Sequence, residues 1–267
     1  MNGTPPLAAR IGRGDVLYGV IIKMPSPALT ELVGHTGFDL VVIDTEHGVS
    51  DNTELEHHLR AADSAGVSAL VRVGVNDPLL TLRALDAGAA GVIVPHVNDA
   101  DQARTAVEGA HYPPVGIRSL AVSTRAGHHG TVPLHQHLAD ASANTIVVAQ
   151  AEDQHSAINS ASIAATRGVN AVWIGPNDLA LSLGYPGQMD HPDVIAAIDQ
   201  IAANVIASTN CALCVLVDTT EQATRWQQRG ARIILFNASA ILAKELAEIL
   251  VNVHSDLPDT EPVTVDP

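Results

Sequence analysis

"GFDLVVIDTEHG", residues 37–48, contains the pattern that decides the fold. An uninterrupted apolar run over residues 40–43 ends abruptly in Asp44, Glu46 and His47. Continuous rather than alternating apolar residues indicate a strand that is buried on both faces, which is typical of a parallel sheet covered by helices. Three ionisable groups directly after such a strand are costly to bury unless they have partners. The stretch therefore predicts an internal parallel strand with a polar site at its carboxyl end.

The same unit recurs along the chain. Apolar runs of strand type lie at residues 16–22, 39–43, 69–73, 91–95, 145–150, 171–175, 212–217 and 232–236. Most are followed by an amphipathic helical pattern, and several patterns end on a glycine, as a left-handed helix C-cap requires. These glycines are Gly37, Gly66, Gly88, Gly168 and Gly230. Eight strand–helix units in about 250 residues predict a single-domain (β/α)8 TIM barrel of the α/β class. We expect it to span residues 1–255, and a doubly wound open sheet is the alternative.

Two segments depart from this repeat. Residues 110–144 are too long for a plain connection and are rich in Gly, Pro and His, so we expect a functional role for them. The histidines of residues 121–137 are predicted to face solvent, with a second metal site as the alternative; they are His128, His129, His135 and His137. The acidic, proline-rich tail, residues 256–267, is predicted to be flexible.

Charge and composition narrow the function classes. The formal net charge of −15 argues against nucleic acid and anionic membranes, because both are bound through basic patches. The start of the chain contains no apolar core of signal-peptide length, so we expect a cytoplasmic protein. Cys211 and Cys214 form a C-x-x-C pair inside an apolar run, without a second pair to complete a zinc site. They are predicted to be buried thiols.

Polar residues follow nearly every apolar run. In a (β/α)8 barrel the carboxyl ends of all strands meet at one rim, where catalytic groups lie. Gln150 and Glu152 should point the same way, because residues two apart on a strand share a side. Glu152 and Asp178, from adjacent strands, could converge on a hard cation such as magnesium or manganese. The alternative is that each carboxylate caps the following helix, which is weaker for Glu152 because Glu is a poor N-cap.

Several motifs together resemble the HpcH/HpaI aldolase family. They are "GFDLVVIDTEHG", "LVRV", "ALDAGAAGVIVPHV", "YPPVGIRS", "AQAED" and "GVNAVWIGPNDLALSLG". The resemblance runs in order from about residue 16 to 195, and more loosely to about 250. It is nearest to the class II pyruvate aldolases of the 4-hydroxy-2-oxoheptanedioate and 2-dehydro-3-deoxyglucarate type. It implies a 2-oxo acid donor, an aldehyde acceptor and a divalent metal (Mg²⁺, Mn²⁺ or Co²⁺). It also implies a homohexamer, built as a trimer of dimers, whose final helix is exchanged between subunits.

The resemblance also implies roles for individual residues. Glu152 and Asp178 match the metal ligands, and His47 matches the general base, assisted by an acid at Asp86. Arg72 matches the residue that stabilises the enolate, and Asp44 belongs to the same catalytic group. The residues that match the pyruvate-binding groups are Gln150, Gly175, Pro176 and Asn177.

The implied chemistry is coherent in itself. Cleaving a bond β to a ketone leaves an enolate, whose negative charge needs a Lewis acid and a cation nearby. A histidine can take the proton from the 4-hydroxyl group. Three alternatives stay open: Arg72 as a structural partner of Asp44, Asp86 as a surface residue, and Lys23 as a Schiff-base lysine. His57 and His58, in the middle of a helical pattern, are predicted to be solvated.

The chain departs from the common family pattern at Lys23 and at "LFNAS", residues 235–239, so the acceptor aldehyde stays open. Four other functions compete with the aldolase. They are an acyl-CoA lyase of the citrate-lyase-β type, a phosphoenolpyruvate-mutase-like lyase, a specialised biosynthetic enzyme that forms C–C bonds, and a non-enzymatic 2-oxo acid sensor. CoA would call for basic residues that this rim lacks, and the intact set of His47, Arg72, Glu152 and Asp178 argues against a sensor.

Overall fold

The structure, a computed structural model, describes residues 5–48 and 51–255. Eight parallel strands form a closed barrel in the order β1 to β8. They are β1 Leu17–Ile22, β2 Leu40–Asp44, β3 Ser68–Arg72, β4 Gly91–Val94, β5 Ile146–Ala151, β6 Ala171–Ile174, β7 Ala212–Val217 and β8 Ile233–Asn237. Each lies in one of the predicted runs to within a residue. The predicted (β/α)8 barrel is confirmed and the open-sheet alternative is wrong. The predicted tail, residues 256–267, lies outside the described residues.

Helices connect and cover the strands. They are α1 Leu7–Gly12, α2 Pro27–His35, α3 Asn52–Ala65, α4 Pro78–Asp86, α5 Ala100–Ala110, α6 Leu134–Asn144, α7 Gln154–Ala165, α8 Pro176–Ser182, α9 Pro192–Ala207, α10 Thr220–Gln228 and α11 Ala238–Ser255. Side chains of Asp51, Asp77, Asp99 and Asp153 accept hydrogen bonds from the first turns of α3, α4, α5 and α7. All five glycines predicted to end helices have a positive φ, from 70° to 108°. None of the helices in the described ranges is long and apolar enough to cross a membrane.

The apolar strands build two cores, one on each face of the sheet. Side chains such as Leu40, Val42 and Leu70 fill the barrel interior, while Val41, Ile43 and Val71 pack against the helices. This alternation explains the continuous apolar runs, since both faces of each strand are buried. Cys214 is buried in the interior cluster and Cys211 is partly buried, and neither is in a disulfide. Burial raises the pKa of the Cys211 thiol to about 12. The prediction of a buried thiol is confirmed for Cys214, while Cys211 is only partly buried.

The long segment 110–144 packs at the amino-terminal end of the barrel. Together with Ala89, Ala90 and Thr145, which precede β4 and β5, it lines a cavity of about 590 Å³. His137 is 5 % exposed, and its Nε2 lies 2.9 Å from the Tyr112 hydroxyl. The prediction of solvent-facing histidines is therefore wrong for His137; the other three, His128, His129 and His135, are exposed. The part of the chain that the structure describes contains no group of three or more His, Cys, Asp or Glu residues that could hold a metal.

A second histidine prediction also fails. His58 in α3 is fully buried, and its Nδ1 lies 2.7 Å from the hydroxyl of the equally buried Thr30 in α2. Burial lowers the pKa of His58, and the neighbouring Glu54 opposes the shift. Its neighbour His57 is exposed, as predicted. The helical pattern does not reveal this difference, because it depends on where α2 packs against α3.

Candidate active site

The last residues of β2 and β3 form a buried ion pair at the rim. Asp44 and Arg72 are paired in the sheet register, and they are 0 % and 4 % exposed. The Nε of Arg72 donates to Asp44 Oδ1 at 3.0 Å, and Nη2 donates to Oδ2. Burial opposes ionisation of Asp44, but its hydrogen bond and charge interaction with Arg72 hold its pKa below the usual value. The two-pronged contact fixes the plane of the guanidinium group.

The other edge of the guanidinium faces the barrel mouth. The Nη1 of Arg72 lies 3.0 Å from Glu46 Oε2 and donates to Gln150 Oε1 at 3.4 Å. The Cζ of Arg72 lies 5.2 Å from the ring centroid of Trp173. The ion pair with Asp44 and the catalytic role predicted for Arg72 are therefore compatible, since Asp44 takes one edge of the guanidinium group, while Nη1, in contact with Glu46 and Gln150, faces the mouth.

Asp44 also orders the turn that carries His47. Its Oδ1 accepts hydrogen bonds from the backbone N–H groups of Glu46 at 3.1 Å and His47 at 3.3 Å. A Cβ at Gly48 would lie 2.5 Å from the carbonyl oxygen of Lys23, so only glycine fits at the end of this turn. The side chain of His47 is 56 % exposed, and its Nε2 lies 3.9 Å from Glu46 Oε2. His47 is thus held at the mouth, accessible to a ligand.

Glu152, directly after β5, is a buried carboxylate with different partners on its two oxygens. Oε1 accepts a hydrogen bond from the His96 backbone N–H at 2.7 Å, and His96 Nδ1 lies 3.1 Å away. Oε2 accepts from the side-chain amide of Gln150, so these two residues share a side as predicted. Burial raises the pKa of Glu152 to about 7; His96 opposes the shift, and the negative charges of Glu46 and Asp178 add to it.

The segment after β6 brings Asp178 to this carboxylate. A Cβ at Gly175 would lie 2.7 Å from Glu152 Oε2 and 2.9 Å from Gln150 Nε2, so the backbone there approaches as only glycine allows. Asp178 lies in the first turn of α8. The helix-capping alternative is wrong, because Gly175 is the N-cap of α8 and Asp153 that of α7.

These residues fit a divalent cation. Glu152 and Asp178 are neighbouring carboxylates, since the charge of Asp178 contributes to the raised pKa of Glu152, and Glu46 adds a third negative charge. Glu46 Oε2 is buried and, despite its ionic contact with Arg72, accepts no hydrogen bond. Mg²⁺ is commonly bound by one or two protein carboxylates, and water and substrate take its other coordination positions.

Residues 18–242 match the family model described as HpcH/HpaI aldolase/citrate lyase. The chain belongs to this family. The family resemblance seen in the sequence motifs is confirmed, and so is the prediction that the protein is a carbon–carbon lyase.

Named relatives agree with the assignment. The chain is 36 % identical over 227 residues to 5-keto-4-deoxy-D-glucarate aldolase of Salmonella paratyphi C, which covers 85 % of this chain and 87 % of the relative. A solved HpcH/HpaI aldolase/citrate lyase family protein from Burkholderia cenocepacia J2315 superposes with a TM-score of 0.88 at 32 % identity, covering 93 % of this chain and 98 % of the other. The structure of citrate synthase SbnG superposes with a TM-score of 0.84 at 31 % identity, covering 94 % and 98 %.

Asp86 lies apart from the rim in this HpcH/HpaI family member. It is the last residue of α4, which runs from the end of β3 back toward the start of β4. Its Oδ1 accepts a hydrogen bond from Arg118 Nη2 at 2.7 Å. Within the described ranges its side chain makes no recorded contact with His47, so its assistance to the base stays a prediction. The surface alternative also fits poorly, because the side chain is 18 % exposed.

Three rim residues were missed as site residues by the sequence analysis. Glu46 forms an ionic contact with Arg72 at the mouth, and Trp173 lies against the guanidinium group. His96 contacts both Glu46 and Glu152. Glu46 and His96 stand at strand ends, which is a signal that the sequence contains. Trp173 lies within β6 and resembles any core residue in the sequence.

Proposed function

We propose that this protein is a metal-dependent class II aldolase that cleaves or forms 4-hydroxy-2-oxo acids, with pyruvate as donor and an aldehyde as acceptor. The observation that carries the proposal is the buried array in which Arg72 Nη1 and the Gln150–Glu152 pair face one mouth beside Asp178. The names of the curated relatives support the same reaction class.

Residues at the carboxyl ends of β5 and β6 would bind the cation and the 2-oxo acid. A divalent cation such as Mg²⁺, Mn²⁺ or Co²⁺, held by Glu152 and Asp178, would supply the Lewis acid for a 2-oxo acid. Gln150 and the backbone of Gly175, Pro176 and Asn177 line the place where the carboxylate of pyruvate would bind. Asn177 is exposed and Gly175 is buried against Glu152, so this segment extends from the solvent to the buried carboxylate.

Residues at the carboxyl ends of β2 and β3 would stabilise the negative charge of the enolate and accept the proton. When the C–C bond breaks, negative charge develops on the enolate oxygen, and Arg72 Nη1 is the cationic donor that faces the mouth. Asp44 keeps the guanidinium in place, so the donor is oriented before reaction. His47, exposed at the mouth, takes the proton of the 4-hydroxyl group.

A Schiff-base mechanism has weaker support. The Nζ of Lys23 lies 4.0 Å from Asp44 Oδ2, and its side chain is 35 % exposed. Lysines that form Schiff bases are activated by desolvation or by a neighbouring cation, and Lys23 has a carboxylate beside it instead.

The proposal includes a homo-oligomer, in which α11 packs on a second copy of the chain. Apolar side chains recur along one face of this helix and are 41–65 % exposed; they are Leu242, Leu246, Ile249, Leu250 and Val253. An exposed apolar stripe of this length marks an interaction site. A hexamer built as a trimer of dimers, with α11 exchanged, is the assembly we propose, and analytical ultracentrifugation tests it.

A second candidate function follows from one comparison. Citrate synthase SbnG, at 31 % identity, is named for a reaction that forms a C–C bond, so a biosynthetic role competes with sugar-acid cleavage. The rim favours the aldolase, because a CoA substrate would call for basic residues and few are present in the described part of the rim. Arg72 is already held by Asp44, and the other lysine or arginine described near the mouth is Lys23.

The experiment is a substrate panel on metal-stripped full-length protein. Pyruvate released from 4-hydroxy-2-oxo acids is followed with lactate dehydrogenase, before and after adding Mg²⁺, Mn²⁺ or Co²⁺. A parallel assay follows thiol release from acetyl-CoA with oxaloacetate. Metal-restored pyruvate release supports the proposal. Full pyruvate release without metal overturns the class II mechanism, and thiol release alone supports the citrate-forming alternative.

A further inference from the structure

His96 stands after β4 in a backbone conformation that its surroundings must enforce. Its φ is +53°, in the left-handed region that non-glycine residues rarely adopt. Such a conformation persists where neighbouring contacts hold the residue, and it is common at binding sites. The side chain is 58 % exposed, so burial of the ring does not account for it.

One buried carboxylate and one largely buried carboxylate hold the residue instead. The backbone N–H and Nδ1 of His96 both approach Glu152 Oε1, at 2.7 Å and 3.1 Å. The Nε2 lies 3.6 Å from Glu46 Oε1. His96 therefore bridges the end of β2 and the end of β5 at the mouth. Its left-handed backbone directs the N–H and the ring to the same oxygen.

The two oxygens of Glu152 are consequently not equivalent. Each carboxylate oxygen has two lone-pair sites. At Oε1 one site accepts the His96 backbone N–H, and the His96 ring, with Nδ1 at 3.1 Å, covers the other. Oε2 has one protein donor, the Gln150 amide, and it faces the Gly175 backbone that leads to Asp178. Oε2 is therefore the oxygen of Glu152 that keeps a lone pair available for a cation shared with Asp178.

We propose that His96 is a positioning residue that restricts Glu152 to coordinating the cation through Oε2 alone, and that it thereby favours Mg²⁺ over Ca²⁺. The inference rests on the metal site proposed above. Mg²⁺ is small, requires near-octahedral geometry and retains waters, whereas Ca²⁺ takes six to eight ligands and readily accepts both oxygens of one carboxylate. Without the ring, Oε1 regains a lone pair and the site can accept the larger ion.

Three variants of the full-length protein test this role. His96→Gly removes the ring, keeps the backbone N–H and tolerates a positive φ. His96→Asn keeps a donor at the position of Nδ1 and also tolerates this backbone region, so it should rescue the contact with Glu152. His128→Gly is the matched control, because His128 is likewise an exposed histidine with a positive φ, 48°, but it lies in the segment at the other end of the barrel.

The measurement is metal affinity rather than activity. Mg²⁺ and Ca²⁺ dissociation constants are obtained by competition with Mn²⁺, whose free fraction is followed by electron paramagnetic resonance. For His96→Gly we expect Mg²⁺ affinity to fall about ten- to a hundredfold, as is usual when a partner of a metal-binding side chain is removed, while Ca²⁺ affinity holds or rises. His96→Asn and His128→Gly should keep the wild-type ratio.

The outcomes separate the two proposals. Absence of Mn²⁺ binding to the wild-type protein overturns the proposed metal site and this inference with it. Wild-type binding with an unchanged Mg²⁺-to-Ca²⁺ ratio in His96→Gly overturns the inference alone. An equal loss of both affinities in His96→Gly that His96→Asn does not rescue assigns His96 a structural role and also overturns it. If circular dichroism shows that the glycine variant is unfolded, His96→Ala supplies the second truncation and is judged by the same ratio.

Discussion

Gly175→Ala tests how tightly Glu152, the carboxylate proposed to bind the metal, is held. The added Cβ would lie 2.6 Å from the Cβ of Glu152, 2.7 Å from its Oε2 and 2.9 Å from Gln150 Nε2. Ordinary carbon contacts are about 3.5–4.0 Å, so Glu152 or the Gly175 backbone must move by roughly 1 Å. The φ of Gly175 is −94°, which alanine adopts freely, so the effect is steric and not a backbone strain.

The magnitude follows from that displacement. Misplacing a catalytic group by about 1 Å can cost about a hundredfold in rate, while overpacking a close-packed site typically costs about 1–3 kcal/mol of stability. We therefore expect Gly175→Ala to fold, with a lower urea midpoint, and to lose about a hundredfold in kcat/KM for pyruvate release. Weaker Mn²⁺ binding should accompany the loss.

The control is Gly12→Ala, because a Cβ at Gly12, in α1, would meet no heavy atom within 4 Å. It should retain wild-type rate and metal affinity. A Gly175→Ala enzyme with wild-type kcat/KM and Mn²⁺ affinity would refute the reasoning, since it would show that Glu152 and Gln150 have room to move without consequence.

Three further predictions concern the rim and the helical layer. His47→Ala should reduce retro-aldol turnover about a hundredfold to ten-thousandfold with little change in Mn²⁺ affinity; near-normal turnover with weakened metal binding would make His47 a ligand instead. Arg72→Lys should lower kcat for pyruvate release, because a point charge cannot both hold Asp44 through two bonds and direct a donor at the mouth; wild-type kcat would show that charge alone suffices. Since burial lowers the folded-state pKa of His58, the unfolded chain binds a proton that the folded chain does not. Stability is therefore complete above the unfolded value of about 6.5 and falls as the pH drops from about 7 to 5.5. Urea unfolding should show a smaller loss over this range for His58→Gln, with the exposed His57→Gln as control, and an unchanged loss in His58→Gln would contradict the assignment.

The architecture follows from local pattern alone. The eight runs are apolar on both faces and end where polar residues begin, because strands of a closed parallel barrel are buried between an inner and an outer core. Positive-φ glycines end the helices at the expected positions, since only glycine adopts that conformation without cost. The pairing of Gln150 with Glu152 follows from the two-residue period of a strand.

Where a residue's environment depends on a distant element, local pattern was insufficient. The sequence analysis expected His58 to be solvated, but whether a mid-helix histidine faces water or a neighbour depends on the packing of α2 against α3. Asp86 matches a family motif, yet the direction of α4 carries it away from the rim and toward Arg118. His137 was expected in solvent and is buried beside Tyr112.

The sequence by itself therefore determined the barrel, its rim and the carboxylates at the strand ends, because periodicity and chain order specify which ends meet. Only the tertiary structure decided how the rim side chains divide their bonds. Asp44 takes one edge of Arg72, and Glu46 and Gln150 share the other. His96 joins two carboxylates, Glu46 and Glu152, that each stand fifty or more residues away from it in the sequence. Those contacts exist only because barrel closure brings the ends of β2, β3, β4 and β5 within a few ångströms of one another.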